Sequence, residues 1–341
     1  MRPRSIVLRA DANPGRGAGH VMRMLALGEE ARALGWTVDL VSHALAPGLA
    51  ERAFALGISL IAIGEPGSER DARTTAERAL AGSALVGLDH YELGAEYAAA
   101  LRSRGVRVVR WDDLLDPSVA EADLVVNQNL GATAEAYRGL TPAPVLAGAE
   151  YATVRAEFRA RRAAFRAKPE RVAVSFGGAD AGGGSELALA ALADSPLAVS
   201  LLVGALNQRR ERLERLARER AGVEMLVDSP RVAEVLAGAD LAVIAPGTTL
   251  LEACALGLPT VSVVCAENQR PGAERAAAIG VTLLAGEVAY ISPATLGERV
   301  MELTRDAALR ERMRERAMAH VDGRGAARVL ERVAALAGRE A

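Results

Sequence analysis

The sequence is poor in aromatic residues and almost free of cysteine. Only 3% of its 341 residues are Phe, Trp or Tyr, so Ala, Leu and Val must fill the interior. Two cysteines, Cys254 and Cys265, are too few for a disulfide framework and cannot form a zinc site by themselves. Both lie in apolar segments, and we interpret them as reduced, buried, small hydrophobic residues.

Long apolar runs and an excess of one charge are also missing. No stretch approaches the roughly 18 to 20 uninterrupted apolar residues that span a bilayer, and the N-terminus has no signal-peptide pattern. A formal net charge of −2 gives no field that would attract nucleic acid or an anionic membrane surface. We therefore expect a cytoplasmic protein whose partners include neither nucleic acid nor membranes.

What the sequence does contain is an alternation of short apolar runs with longer stretches of helical period. This pattern is typical of parallel strands connected by crossover helices. The strands predicted in the first half are Ile6–Arg9, Thr37–Ser42, Ser59–Ile63, Ala84–Leu88, Val106–Arg110 and Leu124–Asn127. Those predicted in the second half are Arg171–Phe176, Val199–Val203, Val223–Val227, Leu241–Ile244 and Thr260–Val264. The fold class is therefore α/β, with two Rossmann-like, doubly wound domains facing a ligand-binding cleft.

The domain boundary is expected between Glu150 and Arg171, giving an N-terminal domain over 1–160 and a C-terminal domain with terminal helices over 161–341. The segment Tyr151–Lys168 has a helical pattern and is the predicted linker. Its arginines are interpreted as a solvated face rather than a polyanion site. Residues 293–341 predict two or three helices, and the last is a candidate to cross back to the first domain.

A glycine-rich loop from Asp11 to His20 joins the first predicted strand to the helix Val21–Leu34. Gly15, Gly17 and Gly19 let backbone amides approach a ligand, and the helix start favours phosphate. A flexible strand-to-helix turn is the competing interpretation. A helix N-terminus also keeps an imidazole neutral, so His20 is a candidate general base, although a capping or packing role remains open.

Polar clusters follow three predicted strands: Asp89-His90-Tyr91, Trp111-Asp112-Asp113 and Asn127-Gln128-Asn129. Each alone is compatible with a turn or a helix cap. Three such clusters at strand ends that face one cleft favour a binding site. Metal binding ranks below hydrogen bonding, because no metal-ligand spacing accompanies these residues.

In the second half, Gly177 and Gly178 follow a strand, and Gly247-Thr248-Thr249 leads into a helix that carries Glu252. Amides and threonine hydroxyls there suit a diphosphate, and Glu252 suits ribose hydroxyls. The alternative is a threonine N-cap with Glu252 as its capping-box partner.

Together these motifs resemble the nucleotide-sugar hydrolases of the pseudaminic-acid pathway, the PseG type, and more distantly the two-domain glycosyltransferases of GT-B fold. The stretches that carry the resemblance occur in the family's order. They are Arg9-Ala-Asp-Ala12, Gly17-Ala-Gly-His-Val-Met-Arg23, Asp89-His-Tyr91, Asp112-Asp113, Asn127-Gln-Asn-Leu130, Tyr151 with Arg155 and Phe158, Ser175-Phe-Gly-Gly178, Gly247-Thr-Thr249 with Glu252, and Asn268-Gln269.

The resemblance implies water attack on the anomeric carbon of a UDP-linked 2,4-diacetamido-2,4,6-trideoxy hexose, with inversion and without metal or cofactor. The expected catalytic residue is His20, acting directly or through Asp11 and Tyr91. Expected substrate-binding residues are Asp11, Gly17, Gly19, Arg23, Asp89, Tyr91, Asn127, Asn129, Tyr151, Asn268 and Gln269. Expected nucleotide-binding residues are Gly177, Gly178, Gly247, Thr248, Thr249 and Glu252. A GT-B glycosyltransferase and a non-catalytic sugar-nucleotide-binding protein are the alternatives.

Overall fold

The computed structural model describes residues 4–12, 17–43 and 45–337, and it divides into two compact units. The first contains residues 4–12, 20–156 and 323–337, and the second contains 17–19 and 157–322. The main segment of the second unit begins at Glu157, which lies within the expected boundary segment between Glu150 and Arg171. The last helix is grouped with the first unit, whereas the expected domain spans had left all the terminal helices in the second.

The first unit is built on a seven-stranded parallel sheet in the order β3-β2-β1-β4-β5-β6-β7. Its strands are β1 (Ser5–Arg9), β2 (Thr37–Ser42), β3 (Ser59–Ala62), β4 (Leu85–Leu88), β5 (Arg107–Trp111), β6 (Leu124–Asn127) and β7 (Val145–Ala147). Its first helices are α1 (Gly19–Ala33), α2 (Pro47–Ala55), α3 (Glu69–Leu80) and α4 (Ala95–Arg102). The order reverses between β1 and β4, the place where open α/β sheets bind ligands.

The predicted helical linker is wrong. Only α5 (Ala156–Arg159) is helical there, preceded by a short 3₁₀ helix, Ala149–Tyr151. The following residues pair elsewhere: the Ala163 and Ala164 amides donate to carbonyls of Leu256 and Ala237. The guanidinium groups of Arg310 and Arg314 donate hydrogen bonds to the carbonyls of residues 163, 166 and 167. The segment therefore lies against the second unit as an extended strap. Of its arginines, Arg155 is buried, Arg159 is half-buried, and Arg161, Arg162 and Arg166 are exposed.

The second unit has a six-stranded parallel sheet in the order β10-β9-β8-β11-β12-β13. Its strands are β8 (Arg171–Ser175), β9 (Ala198–Val203), β10 (Val223–Val227), β11 (Leu241–Ile244), β12 (Thr260–Val264) and β13 (Leu283–Glu287). Its helices are α6 (Gly184–Ala191), α7 (Arg210–Glu219), α8 (Val232–Gly238), α9 (Thr248–Leu256), α10 (Arg270–Ile279), α11 (Pro293–Arg305) and α12 (Ala307–His320). The last helix of the chain, α13 (Gly325–Ala337), returns to the first unit.

The eleven predicted strands are all present, with boundaries within a residue or two, so the predicted α/β fold class is confirmed. The central strands β11 and β12 are buried along their whole length, which explains their unbroken apolar runs. Two edge strands were missed. The strand β7 has only three residues, and β13 is half-buried and contains Gly286 and Glu287. None of the helices in the described ranges is long and apolar enough to cross a membrane.

The helix α13 begins in close contact with the backbone of the first unit. An added Cβ at Gly325 would lie 2.3 Å from the Ala152 carbonyl oxygen and 2.4 Å from both the Ala152 nitrogen and the Tyr151 carbonyl carbon. These neighbours are all backbone atoms, so none of them can rotate away. Only glycine allows this approach of the helix.

We expect Gly325→Ala to lower the free energy of unfolding by about 2 kcal/mol or more, because the methyl group must displace backbone. Urea unfolding followed by circular dichroism measures this change. Gly64→Ala is the matched control, because Gly64 also lies in the first unit and nothing lies within 4 Å of the added Cβ. Equal stabilities of the two variants would contradict this account of the α13 contact.

Candidate functional site

The carboxyl ends of β1, β4 and β5 collect polar side chains in the first unit. Asp11 follows β1 closely, Asp89 follows β4, and Asp112 and Asp113 follow β5. These three strands are neighbours in the sheet, so their ends lie at one edge. The helix α1 begins here and carries His20 and Arg23, one turn apart, both buried.

His20 forms a pair with Asp89. The His20 Nδ1 lies 2.6 Å from the Asp89 Oδ1. In a neutral imidazole this contact places the proton on Nδ1 and leaves Nε2 as the basic nitrogen. Within residues 4–12, 17–43 and 45–337, Nε2 has no hydrogen-bond partner. The Tyr91 ring meets the imidazole edge-on, with centroids 4.5 Å apart. The pair has the geometry of a base with an orienting carboxylate.

Arg23 lies between two carboxylates. Its Nε and Nη2 donate to the two oxygens of Asp89 at 2.7 and 2.6 Å. Its Nη1 and Nη2 donate to the two oxygens of Asp113 at 2.9 and 3.0 Å. Arg23 is only 5% exposed. The guanidinium of Arg23, which was predicted to bind substrate, therefore donates its hydrogen bonds to Asp89 and Asp113.

The charges of this cluster keep both aspartates ionised. Burial alone would raise the pKa of Asp89, but the Arg23 charge and the His20 contact outweigh it and hold that pKa well below its usual value. Burial opposes ionisation of Asp113 too, and Arg23 again lowers the pKa of this carboxyl group. With Arg23 charged and His20 neutral, the cluster carries a net charge of −1.

Asp113 connects the pair to further polar residues. It accepts hydrogen bonds from the Tyr91 hydroxyl at 3.0 Å and from the Asn129 Nδ2 at 2.8 Å. Asn129 also donates to the Asn127 Oδ1 at 3.0 Å, and the Asn127 Nδ2 donates to the Tyr137 hydroxyl at 2.9 Å. The structure thus brings His20, Arg23, Asp89, Tyr91, Asn127 and Asn129 into one network. Asp113, its central acceptor, belongs to one of the polar clusters identified at the strand ends, although the sequence analysis gave it no specific binding role.

Asp11 belongs to a second network. It accepts two hydrogen bonds from Arg9 at 2.7 and 3.0 Å, and others from the Ser42 hydroxyl and the His43 amide. The Nε2 of His90 lies 3.1 Å from its Oδ2. Burial opposes ionisation, but these partners hold the pKa of Asp11 far below its usual value. The carboxylate on His20 is Asp89, so the structure gives the hypothesised route through Asp11 no direct contact.

His90 is fixed as a structural donor. Its Nδ1 accepts from the Glu92 and Leu93 amides at 3.0 and 3.2 Å, so its Nε2 carries the proton given to Asp11. Both ring nitrogens are therefore occupied. In the part of the chain that the structure describes, no group of three or more His, Cys, Asp and Glu residues is arranged to hold a metal ion.

Arg9, Asp71 and Tyr97 complete this second network. The sequence analysis named Arg9 only as part of a motif, and it missed Asp71 and Tyr97. Arg9 is fully buried, and its Nη2 donates to the Asp71 Oδ2 at 3.0 Å. The Tyr97 hydroxyl donates to the Asp71 Oδ1 at 2.8 Å. Nothing in the sequence connects a helix residue at 71 to a strand residue at 9. The available signal was an arginine inside a buried strand, which requires a carboxylate partner.

In the second unit, the predicted glycines lie where loops approach closely. Gly177 has a φ of +77°, a conformation that favours glycine, and nothing lies within 4 Å of an added Cβ. A Cβ on Gly178 would lie 3.0 Å from that of Ala18, and a Cβ on Gly204 would collide with the Gly178 backbone. The turn after β8 is thereby packed closely against residues 18 and 204. Gly17 also has a positive φ, of +76°, and Gly15 lies outside the described residues.

The helix α9 begins at Thr248, with Gly247 as its N-cap and no side-chain cap. A capping box needs its acidic residue at the third helical position, which here is Leu250. The interpretation of Thr249 and Glu252 as a capping box is therefore wrong. Nothing lies within 4 Å of an added Cβ at Gly247, and Glu252 is 7% exposed. The first turn thus presents open backbone and two half-buried threonine hydroxyls.

The remaining predicted binding residues are Tyr151, Asn268 and Gln269. Tyr151 lies beside α13, where burial and Glu150 raise the pKa of its hydroxyl. The Gln269 Oε1 accepts from the Cys265 amide at 2.9 Å and so holds the turn after β12. Asn268 is exposed in the same turn.

Burial raises the pKa of the Cys254 and Cys265 thiols to about 12.

Comparisons with known proteins support the fold. No protein-family model and no curated protein matches the chain. Among solved structures, MurG of Acinetobacter baumannii is 17% identical over 97% of this chain and 99% of its own, with a TM-score of 0.67. The calicheamicin glycosyltransferase CalG4 is 20% identical over the whole of both chains, with a TM-score of 0.62. Anabaena Alr3699/HepE, solved with UDP and glucose, is 14% identical over 96% of this chain and 99% of its own, with a TM-score of 0.64.

These similarities cover nearly all of each chain and define the class of fold. The two parallel-sheet units match those of GT-B glycosyltransferases, as the resemblance of the motifs implied. At identities of 20% or less, the neighbours establish this architecture and nothing finer.

We expect Asp89→Asn to lower the free energy of unfolding at pH 7 by about 2 to 4 kcal/mol, because a buried ion pair loses one partner. The folded-state pKa of Asp89 lies below its usual 3.8, so its stabilising contribution is present above that pH and is lost as pH falls. The difference from wild type should narrow by about 1.4 kcal/mol per pH unit below about pH 4.

Urea titrations from pH 7 down to pH 2.5 measure this dependence. Asp39→Asn is the control, because it removes a partner of the half-exposed Arg78 and should cost less than about 1 kcal/mol. A deficit in Asp89→Asn that stays constant down to pH 2.5 would argue against a strongly paired Asp89.

Proposed function

We propose that the chain is a nucleotide-sugar hydrolase that uses His20 as its general base. The observation that carries the proposal is the His20–Asp89 pair, which leaves Nε2 without a partner in the described residues. The pair lies at the carboxyl edge of the first sheet, beside the place where the strand order reverses. Burying a carboxylate beside a histidine costs free energy, and a purely structural histidine does not need such a partner.

The proposed reaction begins with a water held at Nε2. As the water oxygen forms a bond to the anomeric carbon, His20 takes its proton. The bond between the anomeric carbon and the diphosphate oxygen breaks, and its electron pair leaves with the nucleotide. Asp89 accepts the Nδ1 hydrogen bond throughout and stabilises the imidazolium that forms. Attack from the side opposite to the leaving group inverts the anomeric configuration.

General base assistance contributes roughly 10²- to 10⁴-fold, so stabilisation of the leaving diphosphate must supply much of the remaining acceleration. The start of α9 suits that part, with open amides at Gly247 and hydroxyls on Thr248 and Thr249. The buried Glu252, one turn further on, is proposed to accept hydrogen bonds from the ribose. The UDP seen with Alr3699/HepE supports a uridine nucleotide.

Glycosyl transfer is the second candidate, because His20 would deprotonate a sugar hydroxyl as readily as water. The similarity to the calicheamicin glycosyltransferase favours it. The resemblance of the sequence motifs to pseudaminic-acid pathway hydrolases favours water, with a 2,4-diacetamido-2,4,6-trideoxy hexose as the sugar. We therefore place hydrolysis first.

One experiment separates the candidates. The protein is incubated with the UDP-linked hexose in H₂¹⁸O, and the products are analysed by mass spectrometry and by NMR of the anomeric proton. Hydrolysis as proposed puts the label on the sugar and gives the inverted anomer. Label in the phosphate would show attack at phosphorus. UDP release only after a hydroxyl acceptor is added would show transfer.

We expect His20→Asn to lower kcat by about 10²-fold or more while KM changes little, because asparagine keeps a polar group but has no basic nitrogen. Steady-state UDP release measures both constants. The exposed His320 provides the control, His320→Asn, which should keep wild-type kinetics. Near-native kcat in a folded His20→Asn protein would eliminate this residue as the base, and a rise in KM alone would make it a binding residue.

We expect Glu252→Ala to weaken UDP binding by about 1 to 3 kcal/mol, the cost of losing a buried hydrogen bond. Isothermal titration calorimetry measures the affinity, and thermal unfolding checks that the variant is folded. Glu274→Ala on α10, which removes an exposed carboxylate of the same unit, is the control. Unchanged UDP affinity in folded Glu252→Ala would remove Glu252 from the nucleotide site.

A further inference from the structure

We infer that Asp113 is a positioning residue that acts on His20 through Arg23. It balances the arginine charge and so leaves Asp89 free to favour the protonated form of the histidine. The inference rests on the proposed function only in taking His20 as the general base. Its observable consequence is that neutralising Asp113 makes His20 harder to protonate.

The hydrogen bonds of Asp113 exclude a direct role in binding substrate. A carboxylate has about four acceptor positions, two on each oxygen. Its Oδ1 accepts from Arg23 and Asn129, and its Oδ2 accepts from Arg23 and Tyr91. All four positions are therefore used by the protein. Asp113 can influence the reaction only through the residues that it holds.

Arg23 is the residue through which this influence reaches His20. Its Nη2 donates to both carboxylates, at 2.6 Å to Asp89 and 3.0 Å to Asp113. Without the second carboxylate, the full arginine charge would fall on Asp89, which also holds the His20 Nδ1. Arg23 would then compete with the imidazolium for one negative charge. With Asp113 present, two negative charges face one arginine.

Other charged groups near the pair do not replace this balance. Among residues 4–12, 17–43 and 45–337, the charged neighbour on α1 is Arg23. Those at the two strand ends are Asp89 and Asp113, and the Tyr91 ring lies against the imidazole. Arg110 on β5 donates to the Leu93 carbonyl and interacts with Asp89 through space.

Asp112, next to Asp113 in sequence, has a different role. It accepts amide hydrogen bonds from Leu114, Leu115 and Asp116 and a hydroxyl hydrogen bond from Tyr137. It therefore holds the turn after β5. The two consecutive aspartates thus have different roles, because Asp112 holds the loop and Asp113 binds Arg23.

The test compares Asp113→Asn with the wild-type chain. Asparagine has nearly the same shape, but its NH₂ group replaces one accepting oxygen, so the variant removes the charge and the hydrogen bonds that this oxygen accepts. We expect the acid limb of the kcat–pH profile to move to lower pH by about one unit, since a lost negative charge disfavours the protonated base. At pH 7, kcat should fall by up to about tenfold, because a base one pH unit weaker takes the proton less readily, while KM stays within about twofold.

Asp116→Asn is the matched control, because it neutralises a carboxylate on the same loop that faces Arg110 rather than Arg23. Its acid limb should coincide with that of wild type. Asp113→Glu keeps the charge and should restore the position of the limb even if its longer side chain lowers kcat. This second variant also provides the test if Asp113→Asn fails to fold, because a shifted limb in Asp113→Glu would overturn the inference.

A direct titration separates this inference from the proposed function. The chain has four histidines, so ¹³C-labelled imidazole resonances can be followed by NMR, and the His20 signal is the one absent from His20→Asn. We expect the midpoint of that signal to fall by about one pH unit in Asp113→Asn. An unmoved midpoint would overturn the inference even if the chain hydrolyses nucleotide sugars. A shifted midpoint in a chain without hydrolase activity would sustain it and reject the proposed function.

Discussion

The first unit depends on one interaction: a buried arginine held between two carboxylates at the carboxyl ends of the strands. This interaction occurs twice. Arg9 lies between Asp11 and Asp71, and Arg23 lies between Asp89 and Asp113. Burying such charges unpaired would cost several kcal/mol each, so the paired arrangement leaves the strand-end loops little freedom.

The two arginines serve different parts of the unit. Arg9 joins the end of β1 to α3 and, through Asp11, to the loops that carry His43 and His90. Arg23 joins α1 to the ends of β4 and β5, and this second connection orients the imidazole of His20. Under the proposed function, this network holds the base in place before substrate binds, which is where electrostatic catalysis gains most.

The fold could be predicted from the sequence where local pattern decides the structure. Runs such as Leu241–Ile244 are buried on both faces, so their composition alone identifies central parallel strands. The linker could not be predicted, because Arg310 and Arg314 hold carbonyls of residues 163–167 from more than a hundred residues away. The same limit applies to the site. His20 and Asp89 were both identifiable at element ends, but the pairing between them depends on the strand order.

The return of α13 to the first unit has a consequence for how the protein is made. This unit is assembled from segments on both sides of the second unit, because residues 323–337 join residues 4–12 and 20–156. On the ribosome, the whole second unit is synthesised before the last piece of the first becomes available. The backbone around Ala152 that receives Gly325 must wait uncovered during that interval. Maturation of the unit that carries His20 is thus coupled in time to synthesis of the second unit.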